Sequence, residues 1–300
     1  MQESSSRQLA VIANPVKVSD AFADLVRKRV ADAGWLEPLW LETREDDPGH
    51  GMAQQAIDAG VDLVIAAGGD GTIRAVADAL ANSEVTMAVV PAGTGNLLAR
   101  NLRLPLSEAG SLDVAFAGRT RDIDLIELTV DGGRSEHFAV MAGVGVDAMI
   151  MDEVDPKLKS KVGPAAYFLA AGKALGRLPM PVDISVDHDP PRRRRAMICL
   201  IGNVGTLPGG VVLIPDAEAD DGHLDVYVAS PHQPRHWLRL LRRVVTRREQ
   251  RGDTVNTWQA QRVLVELAEP EPYQLDGDVV GECRTLEAVI RPGVLRVCIP

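Results

Sequence analysis

Apolar positions follow two rhythms along this chain, and the change falls near residue 121. Before it, short apolar runs alternate with stretches spaced for helices. Leu9–Ala13 is one such run, stopped by Asn14-Pro15. Phe22, Leu25, Val26 and Val30 recur at helical spacing within 20–33. The same reading predicts a strand over 35–41, a helix over 51–59, a strand over 63–67 and a helix over 73–81. A strand over 85–90 and a helix from Leu97 follow. Strand–helix alternation with short connections predicts a parallel sheet covered by helices.

Beyond residue 121 strand-like runs dominate: 123–130, 137–141, 182–186, 196–201, 224–229, 262–267, 286–290 and 294–299. Only 164–178 and 236–248 read as helices. This predicts a second, mostly antiparallel domain of sandwich or barrel type. The expected fold is therefore an α/β parallel-sheet domain over 1–122 and an antiparallel β-sandwich over 123–300. The four arginines at 192–195 fall between predicted strands and read as a solvated loop.

Composition adds limits. Three hundred residues, 46% hydrophobic and 25% charged, suit two soluble domains with aliphatic cores, since aromatics are only 4%. A net charge of −10 argues against broad nucleic-acid binding. Cys199, Cys283 and Cys298 lack metal-ligand spacing and are expected as buried, reduced thiols. The polar start, and the lack of an apolar run of about 18 residues, predict a cytoplasmic protein without a membrane span. Peripheral contact with the inner membrane face stays compatible with this. Within 236–248, Trp237, Leu241, Val244 and Val245 form an apolar stripe among Arg239, Arg242, Arg243, Arg247 and Arg248. Such a helix either lies on anionic headgroups or packs on its own domain, the commoner use.

Four glycine-bearing segments carry the candidate chemistry. Gly68-Gly69-Asp70-Gly71-Thr72 follows an apolar strand and precedes a helix, a placement that suits phosphate. Asp70 would repel phosphate unless a cation, a basic side chain or a hydroxyl donor intervenes. Pro91-Ala92-Gly93-Thr94-Gly95-Asn96 repeats the placement after the next strand; Thr72 and Thr94 could donate hydroxyls, and Asn96 could cap the helix that follows. Asp220-Asp221-Gly222-His223-Leu224-Asp225 is either a hard-cation loop or a polar hairpin. Leu275-Asp276-Gly277-Asp278 could supply a base, though alone it reads as a solvated turn.

Taken in order, these segments resemble the diacylglycerol kinase catalytic-domain family of lipid kinases, with its sphingosine and ceramide kinase relatives. Asn14-Pro15, Thr43, Gly49-His50, Gly202-Asn203, Pro208-Gly209-Gly210 and Pro215-Asp216-Ala217 complete the series. The resemblance implies an α/β domain and a β-sandwich with the active site in the cleft between them. It implies nucleotide contacts from Asn14, Thr43, Gly68, Gly69, Asp70, Gly71, Thr72, Gly93, Thr94 and Asn96. Lys17 is either a phosphate partner or a surface lysine. Asp70 would organise the phosphates and a catalytic Mg²⁺. Glu218, Asp221 and His223, the last through its carbonyl, match a metal site remote from the chemistry.

Two positions depart from the family pattern. Asp278 stands where Glu is frequent, so Asp276 is favoured as the base and Asp278 is kept as its partner. Leu97 replaces an acid, which means either a changed metal geometry or a residue that packs. The expected activity is ATP- and Mg²⁺-dependent phosphorylation of diacylglycerol or a similar lipid alcohol, in phospholipid metabolism. A homodimer is compatible with it. Two other readings stand: an NAD kinase, which shares the GGDGT loop, or a lipid- or nucleotide-binding regulator that has lost catalysis.

Overall fold

The computed structural model describes residues 7–145, 179–207, 211–231, 233, 236 and 254–300. The helix expected over 164–178, residues 237–248 of the second expected helix, and Pro208-Gly209-Gly210 lie outside the described residues. The chain divides into two compact units. The first is Met1–Ile123 with Gly293–Pro300, and the second is Asp124–Pro292. The division expected at 122/123 falls at 123/124, and residues 293–300 belong with the first unit.

In the first unit, strands β1 (Leu9–Ala13), β2 (Leu39–Glu42), β3 (Leu63–Gly68) and β4 (Thr86–Pro91) form a parallel sheet in the order β2-β1-β3-β4. Every residue of β1 and β3 is buried, as expected for strands covered on both faces. Helices α1 (Phe22–Ala33), α2 (His50–Asp58), α3 (Asp70–Leu80), α4 (Leu97–Asn101) and α5 (Glu108–Ala117) accompany the sheet. Helix α3 buries Thr72, Ile73, Val76, Ala77 and Leu80, a single stripe. α1 ends at Gly34, whose φ of 68° lets the chain turn in the left-handed region. Phe22, Val26, Val30, Leu63 and Ile65 join one core cluster, each worth about 1.5–3 kcal/mol when fully buried. Trp40 packs on it with its ring 5.9 Å from Phe22.

The second unit is built from β-strands. They are β5 (Arg119–Val130), β6 (Ser135–Phe138), β7 (Met141–Gly145), β8 (Met180–Val186), β9 (Arg192–Ala196), β10 (Ile198–Gly202), β11 (Thr206–Leu207), β12 (Val211–Val212), β13 (Leu224–Ala229), β14 (Val255–Ala260), β15 (Arg262–Leu275) and β16 (Asp278–Ile299). The first residues of β5 and the last of β16 lie in the first unit. In the second unit β14, β13, β10, β7 and β15 pair antiparallel in that order, with β8 also antiparallel on β15 and β9 on β8. β8 alternates between buried Met180, Val182, Ile184 and Val186 and more exposed residues, the signature of a one-sided core.

Several elements differ from the sequence reading. The arginine run is strand β9, not a solvated loop. It pairs with β8, placing Arg193 opposite Asp183, and the two side chains hydrogen-bond at 3.2 Å. A run without apolar alternation carries no strand signal, but an edge strand can be charged and still pair along one side. The two strands expected over 286–290 and 294–299 are parts of β16, which bends at Gly293 with φ of 63° rather than ending there. β14 and α5 were not predicted. Ser107 caps α5 by accepting the amide of Gly110. The strand expected over 35–41 is confined to Leu39–Glu42. Helix α3 starts at Asp70, so most of the GGDGT segment is helical first turn, not loop.

All three cysteines are buried and free, as expected. Among the described residues, no helix is long and apolar enough to cross a membrane.

Candidate functional site

The parallel sheet brings three expected nucleotide contacts, Asn14, Thr43 and Gly68, to one edge, at the C-terminal ends of its strands, where open α/β sheets bind ligands. Asn14 follows β1 and donates its amide to Ala67 at 2.8 Å. Thr43 follows β2, is buried, and donates its amide to Ala13 at 2.9 Å. Gly68 ends β3, and its carbonyl accepts the amide of Ala92, just past β4, at 2.8 Å. The Asn14 side chain accepts the amide of Val16 at 3.1 Å, turning the chain toward Lys17.

Asp70 locks the two glycine turns together. Its Oδ2 accepts the amide of Asn96 at 2.9 Å, and its Oδ1 accepts the amide of Leu97 at 2.6 Å. Its carboxylate thus caps α4 from the start of α3. Asn96 occupies the position before α4 but does not cap it with its side chain. Instead its side-chain oxygen accepts the Gly93 amide and its Nδ2 donates to the Gly93 carbonyl, both at 2.9 Å. The two turns approach so closely that a Cβ on Gly93 would lie 2.8 Å from the Cα of Gly69. A Cβ on Gly69 would lie 2.5 Å from the ammonium of Lys17, which places that positive charge beside the first turn. Thr72 is buried and Thr94 exposed. Leu97 is 2% exposed, so in place of an acid it packs.

This edge suits phosphate. The first amides of a helix lack intrahelical partners and carry the positive end of its dipole, here at Gly69 and the start of α3.

In the second unit, Asp276 and Gly277 form a two-residue turn joining β15 to β16, with Leu275 paired to Asp278 on either side. Both turn residues have positive φ, 48° and 92°, the pattern of a type I′ hairpin. Asp276 is buried, and its Oδ1 accepts the amides of Val140 at 3.1 Å and Met141 at 2.9 Å. Its own amide donates to Met141 at 2.8 Å. Gln274, fully buried, accepts the amide of Gly277 at 2.8 Å. Asp278, by contrast, is exposed. The two acids therefore have different settings: one is fixed by backbone, the other faces outward.

The loop before β13 holds Asp221 and His223. The Asp221 carboxylate accepts the His223 amide at 2.9 Å, and the His223 ring lies 2.9 Å from the Asp221 carbonyl. Glu218 is exposed. Among the described residues, no group of three or more His, Cys, Asp or Glu is placed to hold a metal ion. An ion at Glu218, Asp221 and His223 would have to draw on backbone oxygens as well, the mode implied for His223. Burial, and the charges of Asp221 and Asp216, push the Asp225 carboxyl up to about 6, with His223 opposing. Asp124 went unpredicted here. It is buried and accepts the Gly222 amide at 2.7 Å. An acid set between Ile123 and Leu125 was its only signal.

One unit offers an edge of a parallel sheet that suits phosphate, and the other carries an acid turn fixed by backbone amides. Residues 8–128 match the model of the diacylglycerol kinase catalytic domain, and residues 139–299 match that of the YegS C-terminal NAD kinase beta sandwich-like domain. A diacylglycerol kinase of Mycobacterium tuberculosis is 30% identical over 225 residues, 74% of this chain and 72% of that protein. A diacylglycerol kinase of Bacillus subtilis is 27% identical over 287 residues, 92% of this chain and 91% of that one. Among solved structures, a diacylglycerol kinase from Bacillus anthracis superposes with a TM-score of 0.73 at 19% identity, covering 99% of this chain and 98% of its own. An NAD kinase from Archaeoglobus fulgidus in complex with ATP shares the fold, with a TM-score of 0.53 at 11% identity over 97% of this chain and 93% of its own. The chain belongs to the diacylglycerol kinase catalytic-domain family. It is a kinase of the lipid-kinase type, and ATP use follows from that membership.

Proposed function

We propose that this kinase transfers the γ-phosphoryl group of ATP to the hydroxyl of diacylglycerol or a similar lipid alcohol, giving phosphatidic acid or its analogue. The observation that carries the donor half is the pair of glycine turns clamped by Asp70, with Lys17 beside them. The acceptor half rests on the relatives, which are named diacylglycerol kinases. A lipid acceptor also requires the protein to work at a membrane surface as a peripheral partner.

In this reading the phosphates of ATP lie against the amides at the start of α3 and the 91–96 turn. Lys17 offsets their charge. Asp70 would help hold Mg²⁺ through its carboxylate, a hard oxygen donor at the joint of the two turns; bound with ATP, the ion would neutralise phosphate charge. The lipid oxygen bonds to the γ-phosphorus as the bond to the β–γ bridging oxygen breaks, and ADP leaves. The hydroxyl proton passes to the acid turn. Retention of Asp276 in the family pattern favoured it as acceptor. The different settings of the two acids support Asp278 instead, because Asp276 is buried and committed to two backbone amides, whereas Asp278 is exposed and accessible to a substrate hydroxyl. Asp276 then fixes the turn that presents Asp278.

Phosphate incorporation from labelled ATP tests this, with diacylglycerol, monoacylglycerol, ceramide, sphingosine and NAD⁺ offered side by side and products identified by mass. Labelled phosphatidic acid is expected, and Asp278→Asn should lower its formation roughly a thousandfold. Label on NAD⁺ alone would point to the activity of the structural neighbour. Binding without transfer to any acceptor would point to a regulatory protein.

A further inference from the structure

Asn203 lies one residue beyond β10 and is 1% exposed. Its Nδ2 donates to the carbonyl of Asp124 at 2.8 Å and to that of Ala139 at 3.3 Å. Its backbone amide donates to the carbonyl of Val140 at 2.9 Å. Among the described residues its Oδ1 has no partner. A buried acceptor left unpaired costs about 1–3 kcal/mol, a cost that an apolar side chain of similar size would avoid. The donating half of the side chain is therefore what this position requires.

What Asn203 grips is the short strap of Ala139 and Val140, between β6 and β7. The same strap, with Met141, sends two amides to one oxygen of Asp276. Strand β7 lies between β10 and β15, with Met141 opposite Gly202 and Ala142 opposite Leu275. Asn203 thus holds the strap from one flank while Asp276 is held by it on the other. The peptide units link them directly: Val140 accepts from Asn203 through its carbonyl and donates to Asp276 through its amide.

We infer that Asn203 is a positioning residue for phosphoryl transfer, fixing the 139–141 strap so that Asp276 holds the hairpin turn and Asp278 in register. The inference rests on the reading of the acid turn given above. Asn203 is placed to touch neither nucleotide nor lipid in this account. Its effect passes through backbone.

A double-mutant cycle on purified full-length protein, with labelled ATP and diacylglycerol in mixed micelles, tests it. Asn203→Ala and Asp276→Asn should each lower kcat roughly ten- to a hundredfold, the scale of a small misplacement, with the KM for ATP within about twofold. The double variant should be no slower than the slower single, because both act through one strap. Losses that multiply, or a raised ATP KM at unchanged kcat, would overturn the inference. So would a lowered melting temperature with full kcat measured below it. Asn203→Ser keeps a donor and carries the same cycle if alanine fails to fold. Asp278→Asn is run in parallel: near-normal turnover there sinks the assignment of the base, whereas additive losses at 203 and 276 sink only the positioning role.

Discussion

The carboxylate of Asp70 accepts the backbone amide of Leu97 at 2.6 Å, across 27 residues of sequence. An acid that looked ill placed beside phosphate is thus a clamp between two phosphate-facing turns. Asp70→Asn keeps the shape but sets an N–H donor against one of two amide donors. The 91–97 turn should loosen, with a stability loss of about 1–3 kcal/mol. The KM for ATP should rise and kcat should fall about a hundredfold. Melting temperature, steady-state kinetics and amide exchange at Asn96 and Leu97 check this; normal exchange there would show that the clamp is dispensable.

Gly93→Ala places a methyl 2.8 Å from the Cα of Gly69, backbone against backbone, so neither side can yield by rotating a side chain. It should destabilise the protein by about 1–3 kcal/mol and weaken nucleotide binding together. Gly281→Ala is the control. There an added Cβ meets Tyr273 at an ordinary 3.7 Å, and the change should stay within about 0.5 kcal/mol. Denaturant unfolding and ATP titration of both variants decide between a packing requirement and mere tolerance.

Glu127 gives the second unit an acid-sensitive contact. The Arg291 guanidinium, hydrogen-bonded at 2.8 Å, holds its carboxyl below the usual 4.5, against a smaller opposing effect of burial. A carboxyl lowered in the folded state stabilises fully above its unfolded pKa, and this is lost as pH falls through the folded value. Glu127→Gln should therefore be less stable than the parent at pH 7, by no more than about 1 kcal/mol because the pair is partly exposed. The two should converge as pH falls from the usual 4.5 through the lowered folded value. Melting curves from pH 7 to 3 test it, and a gap that persists at the acid end would assign the difference to packing.

The thiols should be silent in the native protein. Burial pushes Cys199 and Cys283 up to about 12 and Cys298 to about 11, so thiolate is scarce at pH 8. Iodoacetamide should leave all three unmodified until denaturant is added, then label all three. Rapid native labelling, read by mass, would show that one of these positions opens.

The sequence-based reading and the structure agree where a local pattern determines the outcome. Apolar Leu9–Ala13 and Leu63–Gly68 are buried strands, and the glycine turns stand at the C-terminal ends of β3 and β4. They diverge where the partner is distant backbone. Nothing around Asp70 announces the amides of Asn96 and Leu97, and nothing around Asp276 announces Val140 and Met141. β9 was missed because its regularity lies in its pairing with β8 and not in its own residues. Asn203 belonged to a recognisable dipeptide, but its function depends on a strap some sixty residues earlier whose composition is unremarkably apolar.

The return of residues 293–300 to the first unit has a bearing on biosynthesis. Val297 pairs with Met87, Val294 accepts the amide of Asn82, and Leu295, Val297 and Cys298 are buried there. Most of the first unit precedes residue 124, yet its sheet lacks a strand until residues 293–300 are made. During translation its nascent core must wait, partly open, while the whole second unit is made. A fragment ending near residue 123 would keep every glycine of the two turns and still expose the flank of β4, an invitation to aggregation that residues 293–300 close.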